Sequence, residues 1–133
     1  MARLVNYGAG EVCDRLSILA LKILYGTSAQ LEVSHWERER SVLLTKIAAR
    51  QLGGAWFACY VELAAVNATI WKDEDELRYQ RESPPEVRRV EYVAEIAFRL
   101  QDLNDRRNVL IELINKEVGD HLGSEKLEHL KES

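Results

Sequence analysis

The feature that most constrains the fold is a helix-period run too apolar to lie on a surface. Val12, Leu16, Leu19 and Ile23, with Ile18, Leu21 and Leu24, cover more than half of a helix circumference. Other helices must surround it, so it is expected at the centre of a bundle. This helix 1 is expected from Gly8 or Ala9 to Tyr25, with Gly26 as a left-handed stop.

Helix 2 is expected from Ser28 to Arg50 or Gln51, ahead of Gly53-Gly54. Ser34 with Glu37 has capping-box spacing and gives an alternative start. Its apolar line of Val33, Trp36, Leu43 or Leu44, and Ile47 is narrow, which suits a peripheral helix. Helix 3 starts after Gly54 and runs to about Arg81. Ser83-Pro84-Pro85-Glu86 reads as the start of helix 4, which ends near Val118 before Gly119, or at Leu122 before Gly123. The expected fold class is all-α: an antiparallel helical bundle of about four helices with a long C-terminal helix. Residues 1–123 form one domain and 124–133 a flexible polar tail.

Helix 4 also bears on assembly. Its ~34 residues would span roughly 50 Å, far longer than helix 1. Val93, Ile96, Leu100, Leu103, Leu110 and Ile114 stay apolar along that length. A homodimer that covers the overhang is expected.

With 47% hydrophobic and 30% charged residues, the chain has the balance of a soluble globular protein. A net charge of −4 argues against a nucleic-acid surface, and Arg38, Arg40, Lys46 and Arg50 are interleaved with Glu37 and Glu39. Leu16–Leu24 is broken by Ser17 and Lys22 and is too short to cross a membrane. Cys13 and Cys59 are expected as reduced thiols in the cytoplasm, and no cysteine or histidine cluster has zinc spacing. Neither a Gly-x-Ser-x-Gly nucleophile motif nor a phosphate-binding glycine loop is present.

Polar groups interrupt the apolar stripes of three helices. On helix 3, Asn67, Trp71, Glu74 or Asp75, and Arg78 recur at steps of three and four. On helix 4, Arg107 breaks the line Ile96, Leu100, Leu103, Leu110, Ile114, with Asn104 one turn before it and Asn108 beside it. On helix 1, Glu11 and Asp14 lie a turn apart in the first turns, where the helix dipole favours acids, and Lys22 follows two turns later. Unpaired burial would cost roughly 2–7 kcal/mol per group. These residues must therefore pair with each other, reach water in a groove, or hold a ligand. One reading is an internal ion network that fixes helix register. The other is a site in which the carboxylates hold Mg²⁺ and the basic groups face a small anionic ligand. Trp56 with Phe57 and Tyr60 reads as packing, whereas Trp71 lies on the polar stripe itself.

Gly10-Glu11-Val12-Cys13-Asp14-Arg15-Leu16-Ser17-Ile18-Leu19 with Lys22 resembles the opening of a family of small, uncharacterised bacterial helical proteins. Their first helix begins with Gly-Glu-x-x-Asp-Lys/Arg-Leu-Ser/Thr-Ile-Leu. Asn67…Trp71-x-x-Glu74-Asp75…Arg78 and Asn104-Asp105-Arg106-Arg107 are similar to that family's later motifs, while the segment from Gly26 to Ala65 is generic. The resemblance implies an all-helical cytoplasmic protein with a link to surface-polysaccharide metabolism, and carries no catalytic role. The functional expectation is a homo-oligomeric interaction or accessory protein with a polar groove, which takes a protein partner or a small anion, with neither nucleic acid nor membrane as partner. The alternative is an Mg²⁺-dependent phosphohydrolase acting on a nucleotide or nucleotide-sugar.

Overall fold

A computed structural model describes residues 8–50 and 53–119. It consists of α1 (Ala9–Ser28), α2 (Ser34–Ala48), α3 (Gly54–Glu82), a single 3₁₀ turn (Pro85–Val87) and α4 (Val90–Glu117). The helices pack on one another as an all-α bundle. α1 touches each of the other three helices, as its broad apolar surface requires, and α3 with α4 forms the most extensive pairing. Ala9, Val12, Cys13, Leu16 and Leu19 of α1 meet Leu43 and Ile47 of α2, Leu63, Val66 and Ile70 of α3, and Leu110 and Ile114 of α4 in one core. Ile96 is fully buried outside that cluster, nearer the start of α4.

Cross-helix bonds fix the directions. Asp14 with Arg107 and Gly10 with Asn115 set α1 antiparallel to α4. Glu62 with Arg106, Asp73 with Arg99, and Gln80 with Arg89 set α3 antiparallel to α4. At one end the α1 and α4 backbones almost touch. A methyl group built on Gly10 would sit 2.8 Å from the Ile111 carbonyl carbon and 2.9 Å from its Cγ2. Only glycine permits that approach.

Several boundaries differ from expectation, for identifiable reasons. Gly26 does not stop α1 but lies buried within it, where an added methyl would stand 2.8 Å from Val33 Cγ1 and 2.9 Å from the Trp36 ring. The left-handed residue after α1 is Gln30, at φ 60°. α2 starts at Ser34, yet the Ser34–Glu37 box does not form: the Ser34 N–H donates to Glu32 Oε1 at 2.9 Å. Ser83 does not open the last helix. Its hydroxyl donates to the Tyr79 carbonyl at 2.7 Å, closing α3, and α4 begins only at Val90. Gln80, buried, supplies the cap by accepting the Arg89 N–H at 3.0 Å. α4 therefore has 28 residues, shorter than expected. Gly119, at φ 78°, does take the left-handed form just beyond it. The end at Leu122 and the tail over 124–133 lie outside the described residues. No described helix is long and apolar enough to cross a membrane.

Candidate functional site

The polar residues of α1, α3 and α4 meet around Asp14. Its Oδ1 accepts Arg107 Nε at 2.7 Å and Asn67 Nδ2 at 2.9 Å, and its Oδ2 accepts Arg107 Nη2 at 2.5 Å. The Asn67 amide also donates to Ser17 Oγ at 2.6 Å, while the Ser17 hydroxyl donates to the Asp14 carbonyl at 2.8 Å. Asp14, Ser17 and Asn67 are buried. The side chain of Arg107 keeps 30% of its surface and that of Asp14 12%, so this two-pronged ion pair is largely removed from water. The bonds to Asp14 push the Arg107 pKa up against the opposing effect of burial, with further support from the charges of Asp14 and Glu74.

Three further contacts join helices through polar groups. Asn115, nearly inaccessible, accepts the Gly10 N–H at 2.7 Å and donates to both Glu11 oxygens at 3.0 Å. The first turn of α1, which has no cap of its own from Gly8, is thus capped from α4. Asp73 is buried on α3 and holds Arg99 Nε and Nη2 at 2.7 Å each. Glu39 accepts Arg15 Nε at 2.6 Å and Nη2 at 2.8 Å, joining α1 to α2, and this bonding lowers its pKa.

The expected groove does not close around one point. Asp14, Asn67 and Arg107 converge, with Glu74 at their edge. Glu11 faces Asn115 instead. Asp75, two residues past the buried Asp73, points outward and pairs with Arg78 at 2.7 Å on the surface. Asn104 is exposed and donates to the Leu100 carbonyl at 3.0 Å, and Asn108 is exposed as well. The inward position at that level belongs to Leu103. Lys22 lies 5.8 Å over the Trp36 ring, toward α2. Trp71 stacks on Tyr25 with ring centres 5.7 Å apart. Beyond it Glu74, Leu77, Arg78 and Arg81 line a shallow concavity of about 400 Å³.

Sequence reasoning passed over Asp73, Arg99, Ser17 and Asn115. The signal for Asp73 was available: it falls on the line Leu63, Ile70, Leu77, one short step after Ile70. Both cysteines are free, and burial pushes the Cys13 thiol up to about 11. Among the described residues, no group of three or more His, Cys, Asp or Glu is placed to hold a metal. Comparison with family models, curated proteins and solved structures finds no match to this chain.

Proposed function

We propose that this chain is a homo-oligomeric interaction or accessory protein of the cytoplasm whose internal ion pairs lock three helices in register. One observation carries the reading. Each acid that the fold turns toward a neighbouring helix is already matched by a side chain from that helix: Glu11 by Asn115, Asp14 by Arg107 and Asn67, Asp73 by Arg99. Carboxylates matched in this way set geometry, and for Asp14 and Asp73 the charge a hard cation would need is already met by an arginine. A link to surface-polysaccharide metabolism rests on the motif resemblance alone.

The competing phosphohydrolase would need Glu74 and Asp75 to share Mg²⁺ with Asp14 or Glu11. Asp14 faces Arg107, Glu11 faces Asn115, and Asp75 faces Arg78 across the surface. Calorimetric titration of Mg²⁺ and Mn²⁺ into the wild type and a Glu74→Gln/Asp75→Asn variant tests the choice, followed by a nucleotide-sugar phosphate-release screen. No heat of binding in either protein is the expected result. Binding that the double variant loses, together with phosphate release, would replace this reading with the enzymatic one.

A further inference from the structure

α1, α3 and α4 each pack on both of the others, whereas α2 packs chiefly on α1. Buried polar groups tie the trio together: Asp14 with Arg107 and Asn67, Asn115 with Gly10, and Asp73 with Arg99. α2 has weaker moorings. Of its 15 residues only Leu43 and Ile47 are buried. The Arg15–Glu39 pair that joins it to α1 is 37% and 39% exposed, so water and salt screen it. After α2 the chain reaches Gly53 and Gly54, where an added methyl group would meet nothing within 4 Å. A helix held in this way opens locally at lower cost than the bundle unfolds.

Trp36, Glu39, Leu43 and Ile47 follow one another at steps of three, four and four, which places them on one face of α2. α1 presents Val12, Leu16, Leu19 and Ile23 at steps of four, three and four. By helical phase this stripe lies on the side of Arg15 and Gly26, which meet α2, and away from Asp14 and Ser17, which meet α4 and α3. Val12, Leu16 and Leu19 are buried in the same cluster as Leu43 and Ile47, and Trp36 packs against it. Lifting α2 bares a continuous aliphatic stripe with Arg15 and Lys22 along its edge.

We propose that α2 is a displaceable lid, and that the α1 face beneath it receives an amphipathic helix from a partner protein. The inference rests on the interaction-protein reading above and names its surface and its gate. The resident helix specifies the occupant. A partner must offer an aromatic ring, an acid and two aliphatic side chains at the steps α2 uses. The ring fills the notch at Gly26, the acid meets Arg15, and the aliphatic groups cover Val12, Leu16 and Leu19. Lid and partner compete for one face, so the apparent affinity is the intrinsic affinity scaled by the fraction of chains with α2 open. A change that weakens α2 alone therefore tightens the partner in proportion.

Native-state hydrogen exchange of the full chain reads the lid without any variant. The α2 amides should exchange as one group, with protection at least about tenfold below that of the amides beside Leu63 and Leu110. A dye-labelled peptide of residues 33–50 probes the groove by fluorescence anisotropy. It should bind the full-length Leu43→Ala protein at least about tenfold more tightly than wild type, since that substitution removes a buried anchor of the lid. The same peptide carrying Leu43→Asp and Ile47→Asp should bind neither protein. α2 amides as protected as those beside Leu63 and Leu110 would overturn the lid. Equal peptide affinity for the two proteins, or none for either, would overturn the groove. A wild-type dimer that the peptide dissociates would give the face to α2 of a second copy and overturn the partner. None of these results bears on the Mg²⁺ titration, which remains the separate test of the interaction reading.

Discussion

Replacing Asp14 by Asn should destabilise the bundle by about 2.5 kcal/mol. The change keeps shape and removes charge. Arg107 then loses two charge-assisted bonds, and Asn67 faces a carbonyl oxygen in place of a carboxylate. Removing one member of a buried ion pair typically costs about 3–5 kcal/mol. Arg107 retains 30% exposure and can recover part of its hydration, which puts the expectation at or below the low end of that range. Equilibrium urea unfolding followed at the helical circular dichroism band reads the effect directly. The midpoint should fall by about 1 M with an unchanged slope, and the melting temperature should drop by roughly 10 °C. Arg107→Met should cost a similar amount because it strands Asp14. The combined Asp14→Asn/Arg107→Met protein should be more stable than the sum of the two single losses by at least about 1 kcal/mol, since neither charge is then stranded and the new amide oxygen still accepts the Asn67 N–H. Single losses under about 0.5 kcal/mol, or a double variant as unstable as the sum of the singles, would refute the claim that Asp14 and Arg107 act as one locked unit.

Gly10→Ala should cost more than about 2 kcal/mol, because a methyl group must push α1 off the Ile111 carbonyl; the same unfolding assay measures it. Thiol labelling of the native protein near pH 8 should modify Cys59 and spare Cys13. Burial raises the Cys13 thiol to about 11, leaving only about one molecule in a thousand as thiolate, and unfolding should release it. Acidification should loosen α2 from α1. Arg15 holds the Glu39 pKa below its ordinary 4.5, so the pair contributes fully above that value and is lost as pH falls through the lowered folded pKa. The contribution is on the order of half a kcal/mol, since both side chains are over a third exposed. Protection factors of the α2 amides, corrected for the intrinsic pH dependence of exchange, should fall about twofold there, and Glu39→Gln should lower them by a similar factor at neutral pH.

The helices were legible because their apolar spacing repeats over many turns, and α1 announced its central place through the breadth of its apolar surface. The connections were less so. Gly26 looks like a terminator, but whether a glycine ends a helix or admits a neighbour depends on where Val33 and Trp36 arrive from outside α1. Ser83-Pro84-Pro85-Glu86 carries a start signal, yet Gln80 offers the Arg89 N–H a buried acceptor and the helix begins there. Among the polar residues, Asp14, Asn67 and Arg107 were findable because each interrupts an apolar line. Asp75, Asn104 and Asn108 sit close to such lines in sequence but one helix phase away, which is enough to turn them outward. The Asn115 bonds to Gly10 and Glu11 are a different matter, since no local pattern reveals which helix end a distant amide will reach.

That last contact explains why the acids of α1 are where they are. A Glu and an Asp in the first two turns could be accounted for by the helix dipole alone. Here each is matched by α4, Glu11 through Asn115 and Asp14 through Arg107, eight residues apart on that helix. Two turns of α4 span roughly 11 Å, and a slide of one helix past the other by a single turn would break both bonds together. Apolar packing alone distinguishes such registers weakly, because Leu110 and Ile114 present similar bulk at either setting. The polar pairs distinguish them sharply, and Asp73 with Arg99 does the same for α3 against α4. Bonds from α4 to both α1 and α3 thus hold the three helices in a single register.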